Sequence, residues 1–169
     1  MPHFPGYADA RSAFHNGHSE ARHAGRTATA ERVDRAALLD FIRPRHRALL
    51  VTTRADGGVQ ISPVTCGLDR QGWIVVASYP DRAKTRNSRR DPQVSICVLS
   101  DDWTGPHVQV DGLADVVDTP AALDDLEDFF SRLPGERPGR DGQRSLIRIE
   151  IECWGPVAEG GFPPGLPRS

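Results

Sequence analysis

Apolar and polar residues alternate along several short segments of the chain, which is the pattern of half-buried β-strands. The alternation and its breaks predict six strands, at residues 47–53, 59–66, 73–78, 93–99, 107–117 and 145–152. The first three follow one another with short turns, and Asp56-Gly57 between the first two has the chemistry of a tight hairpin turn. A meander of this kind predicts an antiparallel sheet. Gly112 within the fifth strand predicts a bulge or a tight bend.

Two further segments have the apolar spacing of amphipathic helices. Residues 34–42 predict a short helix capped by Asp34. Residues 121–133 predict an acidic helix that turns four side chains inward, namely Leu123, Leu126, Phe129 and Phe130. Strands and helices together predict a mostly β (α+β) fold, a six-stranded antiparallel split β-barrel with two or three flanking helices.

Composition divides the chain into one domain and two ends. Residues 1–32 contain few large aliphatic side chains, which predicts a flexible N-terminal extension. Residues 33–155 form the barrel domain, and residues 156–169 predict an irregular C-terminal tail rich in Gly and Pro. His15 and His18 have a ligand-like spacing, but no Cys, Asp or Glu completes the set, so we expect no metal site.

The charge balance limits the partners that the chain can have. With 21 basic and 23 acidic residues the net charge is −2, which argues against a nucleic-acid partner. No apolar run approaches the length of a membrane span, and no signal peptide is recognisable. The three cysteines are far apart and are expected to be reduced thiols of a cytoplasmic protein, with Cys97 in the core.

The candidate chemistry is concentrated in one basic segment, residues 78–92, with the sequence SYPDRAKTRNSRRDP. It follows a predicted buried strand, and Asp81 is expected to cap a helix that begins near Arg82. Cations in a first helical turn oppose the helix dipole, an arrangement expected where an anion binds. A strand end, hydroxyl groups, Arg82 and the only lysine of the chain, Lys84, together predict a phosphate site.

The residues alone leave alternatives open for these cations. Arg82, Lys84 and Thr85 could instead form a solvated basic helix face. Arg82 and Lys84 are two positions apart, so they converge only at or before the first helical turn. The later arginines are expected to pair with the acidic helix or to stay in solvent: Arg86, Arg89 and Arg90.

The order of these motifs resembles the pyridoxamine-5'-phosphate-oxidase-like split β-barrel family, and within it the actinobacterial branch that binds the deazaflavin coenzyme F420. The matching segments are residues 57–64, 78–92, 94–98 and 101–116, with a short PPG at 163–165. The resemblance covers roughly residues 34–155. It implies a homodimer with the cofactor in a cleft between the two subunits.

The resemblance also implies cofactor-binding roles for individual residues. Arg82 and Lys84 would contact the phosphate, and Ser78 and Thr85 would add hydroxyl donors. Asn87 would hold the loop or the ribityl chain of the cofactor. The remaining contacts would come from backbone groups facing the ring and from an aromatic side chain of the partner subunit: Ser62, Pro63, Val64, Thr65 and Ala77, and Trp103.

The implied activity is a coenzyme F420-dependent oxidoreductase that passes a hydride between the reduced deazaflavin and a small organic substrate. The chain shows no obvious nucleophile or acid/base pair, so no catalytic residue is assigned and the cofactor would carry the chemistry. An FMN-dependent oxidase or reductase would use the same phosphate site. A non-catalytic flavin- or F420-binding protein is a third alternative. Tyr79, beside the phosphate motif, is a lesser candidate for a substrate pocket.

Overall fold

The structure is a computed structural model that describes residues 29–102, 105–134 and 142–159. No helix within these ranges is long and apolar enough to cross a membrane. Eleven elements are found in the described residues, in the order β1 (Thr29–Glu31), α1 (Arg35–Ile42), β2 (Arg47–Thr53), β3 (Val59–Leu68), β4 (Ile74–Ser78), α2 (Ala83–Arg90), β5 (Gln93–Leu99), β6 (His107–Asp118), α3 (Leu123–Arg132), β7 (Ser145–Trp154) and β8 (Val157–Glu159).

Six of the strands close into an antiparallel barrel. Their order is β6-β5-β2-β3-β4-β7, and β7 pairs back with β6. Strands β1 and β8 pair with each other outside the barrel, and β8 also joins β6 where Ala158 faces His107. The predicted mostly β fold with a six-stranded antiparallel barrel is confirmed.

Alternate residues of each barrel strand face inward, and aliphatic side chains fill the interior. On β5 the buried residues are Val94, Ile96 and Val98, as the alternation predicts. Helix α1 adds Leu38 and Ile42 to the same cluster, and both are fully buried. The barrel interior is thus a packed core, and a ligand has to bind on the barrel wall.

Helix α3 packs against the outside of the barrel and forms a second apolar cluster. Leu126 and Phe129 are buried there against Val75 and Leu146. Leu123, which the spacing places inward, is 43% exposed, so that part of the prediction is wrong. Leu123 is the first residue of α3, and it does not belong to the cluster that contains Leu126 and Phe129.

Gly112 allows β6 and β7 to approach each other closely. The register between the two strands shifts between Asp111 and Gly112, which confirms the predicted bulge. A Cβ atom at position 112 would lie 2.1 Å from the carbonyl oxygen of Glu150. Only glycine fits here, because the obstacle is backbone that cannot move aside.

Several local details differ from the predictions. The sequence pattern places residues 29–31 in the extension and 157–159 in the tail, whereas the structure pairs these segments as β1 and β8. Asp34 caps α1 by accepting a hydrogen bond from the N–H of Ala37 at 2.9 Å, as predicted. Asp81 does not cap α2, because Arg82 holds the N-cap position with extended backbone and no side-chain bond.

Candidate functional site

Strands β3 and β4 separate part of the way along the barrel wall. Their ladder ends at the pair formed by Cys66 and Val76. Beyond that pair, β3 stays paired with β2 on its other side, as at Thr65. Strand β4 likewise stays paired with β7, as at Ser78. The two facing edges therefore leave backbone N–H and C=O groups without ladder partners, and a planar heterocycle could bond to them.

A cavity of about 900 Å³ lies at this split. This volume is within the usual range for small-molecule and cofactor sites. The cavity brings together six residues of the predicted cofactor site, three from β3 and three from β4 and the first turn of α2: Pro63, Val64, Thr65, Ala77, Ser78 and Lys84. Residues that are up to 21 positions apart in the chain thus share one wall because of the sheet register.

Ser78 and Thr85 join the end of β4 to the first turns of α2. Thr85 is fully buried, and its Oγ1 donates a hydrogen bond to the Oγ of Ser78 at 2.8 Å. Ser78 lines the cavity and, because it accepts this bond, keeps its own hydroxyl hydrogen for another acceptor. Thr85 does not line the cavity, so its position suits support of Ser78 better than contact with a ligand.

Asn87 is buried on a different side of α2. Its Nδ2 donates to Thr52 Oγ1 at 3.1 Å and to Gln60 Oε1 at 2.9 Å, and its Oδ1 accepts from Arg90 at 3.1 Å. These bonds tie α2 to β2 and β3. They fit the first of the two roles that the resemblance implies for Asn87, which is holding the local structure.

Lys84 lines the cavity and is partly buried. Within the described residues it makes no hydrogen bond or ion pair. Burial lowers the pKa of Lys84, and the nearby cation of Arg82 lowers it further. Arg82 is exposed and lies 5.7 Å from the centre of the Tyr79 ring. Two neighbouring cations beside the first-turn N–H groups of a helix are typical of an anion site.

The remaining predicted residues lie outside this cavity or outside the description. Ser62 is not part of the described lining, and its hydroxyl accepts a long bond of 3.5 Å from Gln60. Arg82 is also outside the lining, although its charge reaches Lys84. Trp103 lies outside the described residues.

Arg144 and Phe130, which also line the cavity, were not predicted, whereas Tyr79 was a lesser candidate for a substrate pocket. The register pairs Ser145 of β7 with Ser78, which places the preceding Arg144 beside Tyr79. The Arg144 guanidinium is 5.1 Å from the Tyr79 ring centre and 5.6 Å from that of Phe130. Because β7 and α3 are far from the basic segment in the chain, only the strand order could have revealed these contacts. Tyr79 itself lines the cavity.

A cluster of polar residues at the side of the cavity formed by the start of β2 was also not predicted from the sequence. His46, Arg47 and Asp101 line it there. Arg47 Nε lies 3.6 Å from Asp101 Oδ1, and the His46 Nδ1 lies 3.1 Å from the carbonyl oxygen of Cys66. A lone histidine and a common Arg carry no motif, so the sequence offered no signal for this group.

The cysteines supply no nucleophile to the cavity. Cys66 is fully buried, and burial raises the pKa of its thiol to about 12, so it is protonated near neutrality. Cys97 is half-buried and does not belong to the core cluster, so its predicted core position is wrong. It takes the outward-facing alternate position on β5.

Within the described residues no group of three His, Cys, Asp or Glu could hold a metal ion, and His15 and His18 lie outside them.

The later arginines of α2 bond to their own surroundings. Arg89 forms an ion pair with Asp118 at the end of β6, at 2.5 Å. Arg86 donates to a backbone carbonyl of the preceding turn at 2.9 Å. On α3, Asp128 pairs with Arg132 and Arg70. Arg89 therefore pairs with β6, the strand that α2 lies against, and not with the acidic helix, which was one of its predicted partners.

A closed antiparallel barrel whose wall splits beside a cavity defines the class of this molecule, a split-barrel protein. Residues 35–158 match the family model described as pyridoxamine 5'-phosphate oxidase, and the chain belongs to that family. The family and the cavity together assign the chain to the oxidoreductase-like proteins that bind a flavin-type cofactor.

Solved structures share the fold. A structure described as an F420 reductase has 24% identity and a TM-score of 0.56, with 67% of this chain and 90% of that chain covered. A conserved hypothetical protein of Mycobacterium tuberculosis has 21% identity and a TM-score of 0.60, with 83% and 96% covered. An FAD-binding protein of Mesorhizobium loti has 17% identity and a TM-score of 0.59, with 79% and 98% covered.

Proposed function

We propose that the protein is a coenzyme F420-dependent oxidoreductase that transfers a hydride between the reduced deazaflavin and a small organic substrate. The observation that carries this proposal is the position of Ser78 and Lys84 on one cavity wall, next to the unpaired edges of β3 and β4. A cofactor with a phosphate and a planar hydrogen-bonding ring matches these two features. The similarity to a structure described as an F420 reductase supports the choice of the deazaflavin.

The residues of the cavity have separate tasks in this proposal. Lys84 and the Ser78 hydroxyl would bind phosphate oxygens, with Arg82 adding positive charge at longer range. Backbone groups of Pro63, Val64 and Thr65 would face the ring. The bound cofactor would supply the hydride chemistry. The side chains of α3 that line the cavity would exclude water from the bound molecules, which strengthens every electrostatic contact inside.

We further propose that the protein is a homodimer and that the second subunit borders the cavity. Two large apolar side chains on the outer face of β3 are unusually exposed, Val59 at 64% and Ile61 at 61%. Strand register places Val51 opposite Ile61. A contiguous apolar sheet face of this kind marks a protein contact more often than open surface. Pro63 is on the same face and lines the cavity, so a second subunit on this face would border the site. The contact from Trp103 of that subunit, which the resemblance implies, belongs to the same proposal.

An FMN-dependent oxidase or reductase is the second candidate. The same Ser78 and Lys84 would bind the phosphate of FMN, and the family is named for pyridoxamine 5'-phosphate oxidase. A carrier that binds a flavin or F420 without catalysis would need the same contacts.

Parallel fluorescence titrations with F420 and FMN test the proposal. We expect purified protein to be colourless and to bind F420 saturably and more tightly than FMN. Protein that is yellow with tightly bound FMN would favour the second candidate, and binding of neither cofactor would refute both. Turnover of reduced F420 with a panel of enones, quinones and tetrapyrroles then separates an enzyme from a carrier.

A further inference from the structure

We propose that His46 is a catalytic residue of this cavity and donates a proton to the substrate as it is reduced. This inference rests on the proposed function, because it presumes a reduced deazaflavin or flavin in the same cavity. It assigns an acid to a site for which the sequence indicated none.

His46 is held at the closed end of the split between β3 and β4. Its carbonyl oxygen accepts a hydrogen bond from the N–H of Cys66 at 3.0 Å, and its ring Nδ1 lies 3.1 Å from the Cys66 carbonyl oxygen. Cys66 is the last residue in this direction at which β3 pairs with β4. The imidazole is therefore fixed to the point from which the two strands diverge, and His46 lines the cavity there.

The bond to Cys66 determines which ring nitrogen carries the hydrogen. A carbonyl oxygen only accepts hydrogen bonds, so Nδ1 must be the donor. The Nε2 atom, on the other side of the ring, has no hydrogen-bond partner among the described residues. In the imidazolium form Nε2 also carries a hydrogen and can donate it to a molecule in the cavity.

Most other ionisable side chains of the described lining are poorly suited to this proton transfer. Arginine does not give up its proton in proteins, which excludes Arg47 and Arg144. Lys84 is assigned to the cofactor phosphate, and Tyr79 is the other lining residue that can act as a general acid. Asp101 is ion-paired with Arg47. Imidazole is the side chain that most often serves as a general acid or base in enzymes.

The step balances for a conjugated carbonyl substrate such as an enone or a quinone. Its two-electron reduction adds a hydride to one atom of the conjugated system and leaves an enolate or phenolate anion. The reduced cofactor, which Ser78 and Lys84 would hold, would supply the hydride with both electrons. The Nε2–H bond of His46 breaks as a C–H or O–H bond forms on the anion, and the neutral imidazole then takes a proton from water.

The charged and titratable groups around His46 come from three segments. Arg45 and Arg47 flank it in its own segment, Cys66 faces it from β3, and Asp101 follows β5. Burial raises the pKa of the Cys66 thiol, so the imidazole faces a neutral thiol and no thiolate.

The tautomer is tested without turnover by nitrogen NMR of the imidazole rings of the free protein at a pH where they are neutral. The His46 signals are assigned by their disappearance in His46→Gln. We expect the Nδ1–H tautomer. An Nε2–H tautomer would overturn the proposal, because Cys66 would then not orient the ring as required.

The catalytic role is tested with His46→Asn, since the asparagine amide can still donate to the Cys66 carbonyl but cannot donate a proton to the substrate. We expect an unchanged Kd for the cofactor and a kcat for enone or quinone reduction lowered on the order of 10²-fold. His107→Asn is the matched control, because His107 lies on β6 outside the described lining.

Failure of the inference and failure of the proposed function give different results. If the wild-type protein binds neither F420 nor FMN, the proposed function fails, and the inference fails with it. If the wild type binds and turns over, and His46→Asn keeps the same kcat, only the inference is overturned. A cofactor Kd that is weakened together with kcat would show that His46 is structural.

Discussion

Thr85 Oγ1 donates a hydrogen bond to Ser78 Oγ over 2.8 Å, and this bond fixes the hydroxyl at the end of β4 against α2. Both side chains are buried, so water does not compete for the bond. The Ser78 hydroxyl is therefore oriented before any ligand arrives. An anion site prepared in this way loses little side-chain entropy when the ligand binds.

Replacing Thr85 by Val removes the donor and preserves the shape of the side chain. We expect the free energy of unfolding to fall by about 1 kcal/mol, the usual net value of one hydrogen bond. Cofactor affinity should also fall, because Ser78 becomes free to rotate. Urea denaturation and fluorescence titration measure the two effects. Thr85→Ser keeps the hydroxyl and should preserve affinity, whereas full affinity in Thr85→Val would contradict the orienting role.

Replacing Lys84 by Ala should weaken cofactor binding by about 1.5–3 kcal/mol, the range for hydrogen bonds to charged groups. Arg82→Ala should cost less, because Arg82 is exposed and does not line the cavity. The measurement is the dissociation constant from fluorescence titration. Arg43→Ala is the control, since Arg43 is an exposed cation on the segment after α1. Equal affinity in the Lys84 variant and the wild type would refute the phosphate assignment.

The affinity for a phosphate ligand should depend on pH through Lys84. Burial and the Arg82 cation lower the pKa of Lys84, so it loses its charge at a lower pH than an ordinary lysine. Affinity should fall over that range, and Arg82→Ala should move the fall to higher pH. Ligand titrations of both proteins over alkaline pH test this. An identical pH profile for both would show that Arg82 does not act on Lys84.

The same pKa shift affects the stability of the free protein in the opposite direction: phosphate affinity falls as pH rises, whereas the free energy of unfolding increases. The folded chain binds the Lys84 proton less tightly than the unfolded chain does. The free energy of unfolding should therefore receive a contribution that rises with pH between the folded and unfolded pKa values of Lys84. Denaturation of wild type and Lys84→Met over this range measures the difference, which should vanish in the variant.

Replacing Gly112 by Ala should strongly destabilise the barrel. The added Cβ would lie 2.1 Å from the backbone oxygen of Glu150, so the β6–β7 pair that closes the barrel must shift. We expect a loss of about 3 kcal/mol or a failure to fold. Gly155→Ala is the matched control, because the nearest atom there is at 3.9 Å and the change should be small. Thermal unfolding of both variants provides the comparison.

A charge on the outer face of β3 should separate the proposed dimer. Ile61→Glu places a carboxylate on a side chain that is 61% exposed in the single chain, so it should not disturb the fold. We expect light scattering to give a dimer for the wild type and a monomer for the variant, with the circular dichroism spectrum unchanged. A monomeric wild type would remove any role for Trp103 from a second subunit.

Alternation of apolar residues predicted the barrel strands well, because one face of each strand must meet the core. The bounds of β2 and β5 agree with the pattern, since both lie fully within the barrel and end at charged or turn residues. Segments 29–31 and 157–159 were missed because they pair only with each other and with the edge of β6, and they bury little apolar surface.

The cavity was predicted only along the two segments that carry a motif. Ser78 and Lys84 are close in the chain and were found from local rules on helix ends and anions. Arg144 and His46 reach the same cavity because β7 and β2 lie beside β4 and β3, and strand order is not encoded in a local pattern. Asp81 was misplaced as a cap because the chain turns one residue later than the preference for Asp suggests.

The early end of the ladder between β3 and β4 makes the sheet incomplete where the cavity opens. A molecule that bonds to both edges takes the place of the missing rungs and joins the two halves of the barrel wall. Because such a molecule would bind the folded chain and not the unfolded chain, its concentration would raise the free energy of unfolding of the protein.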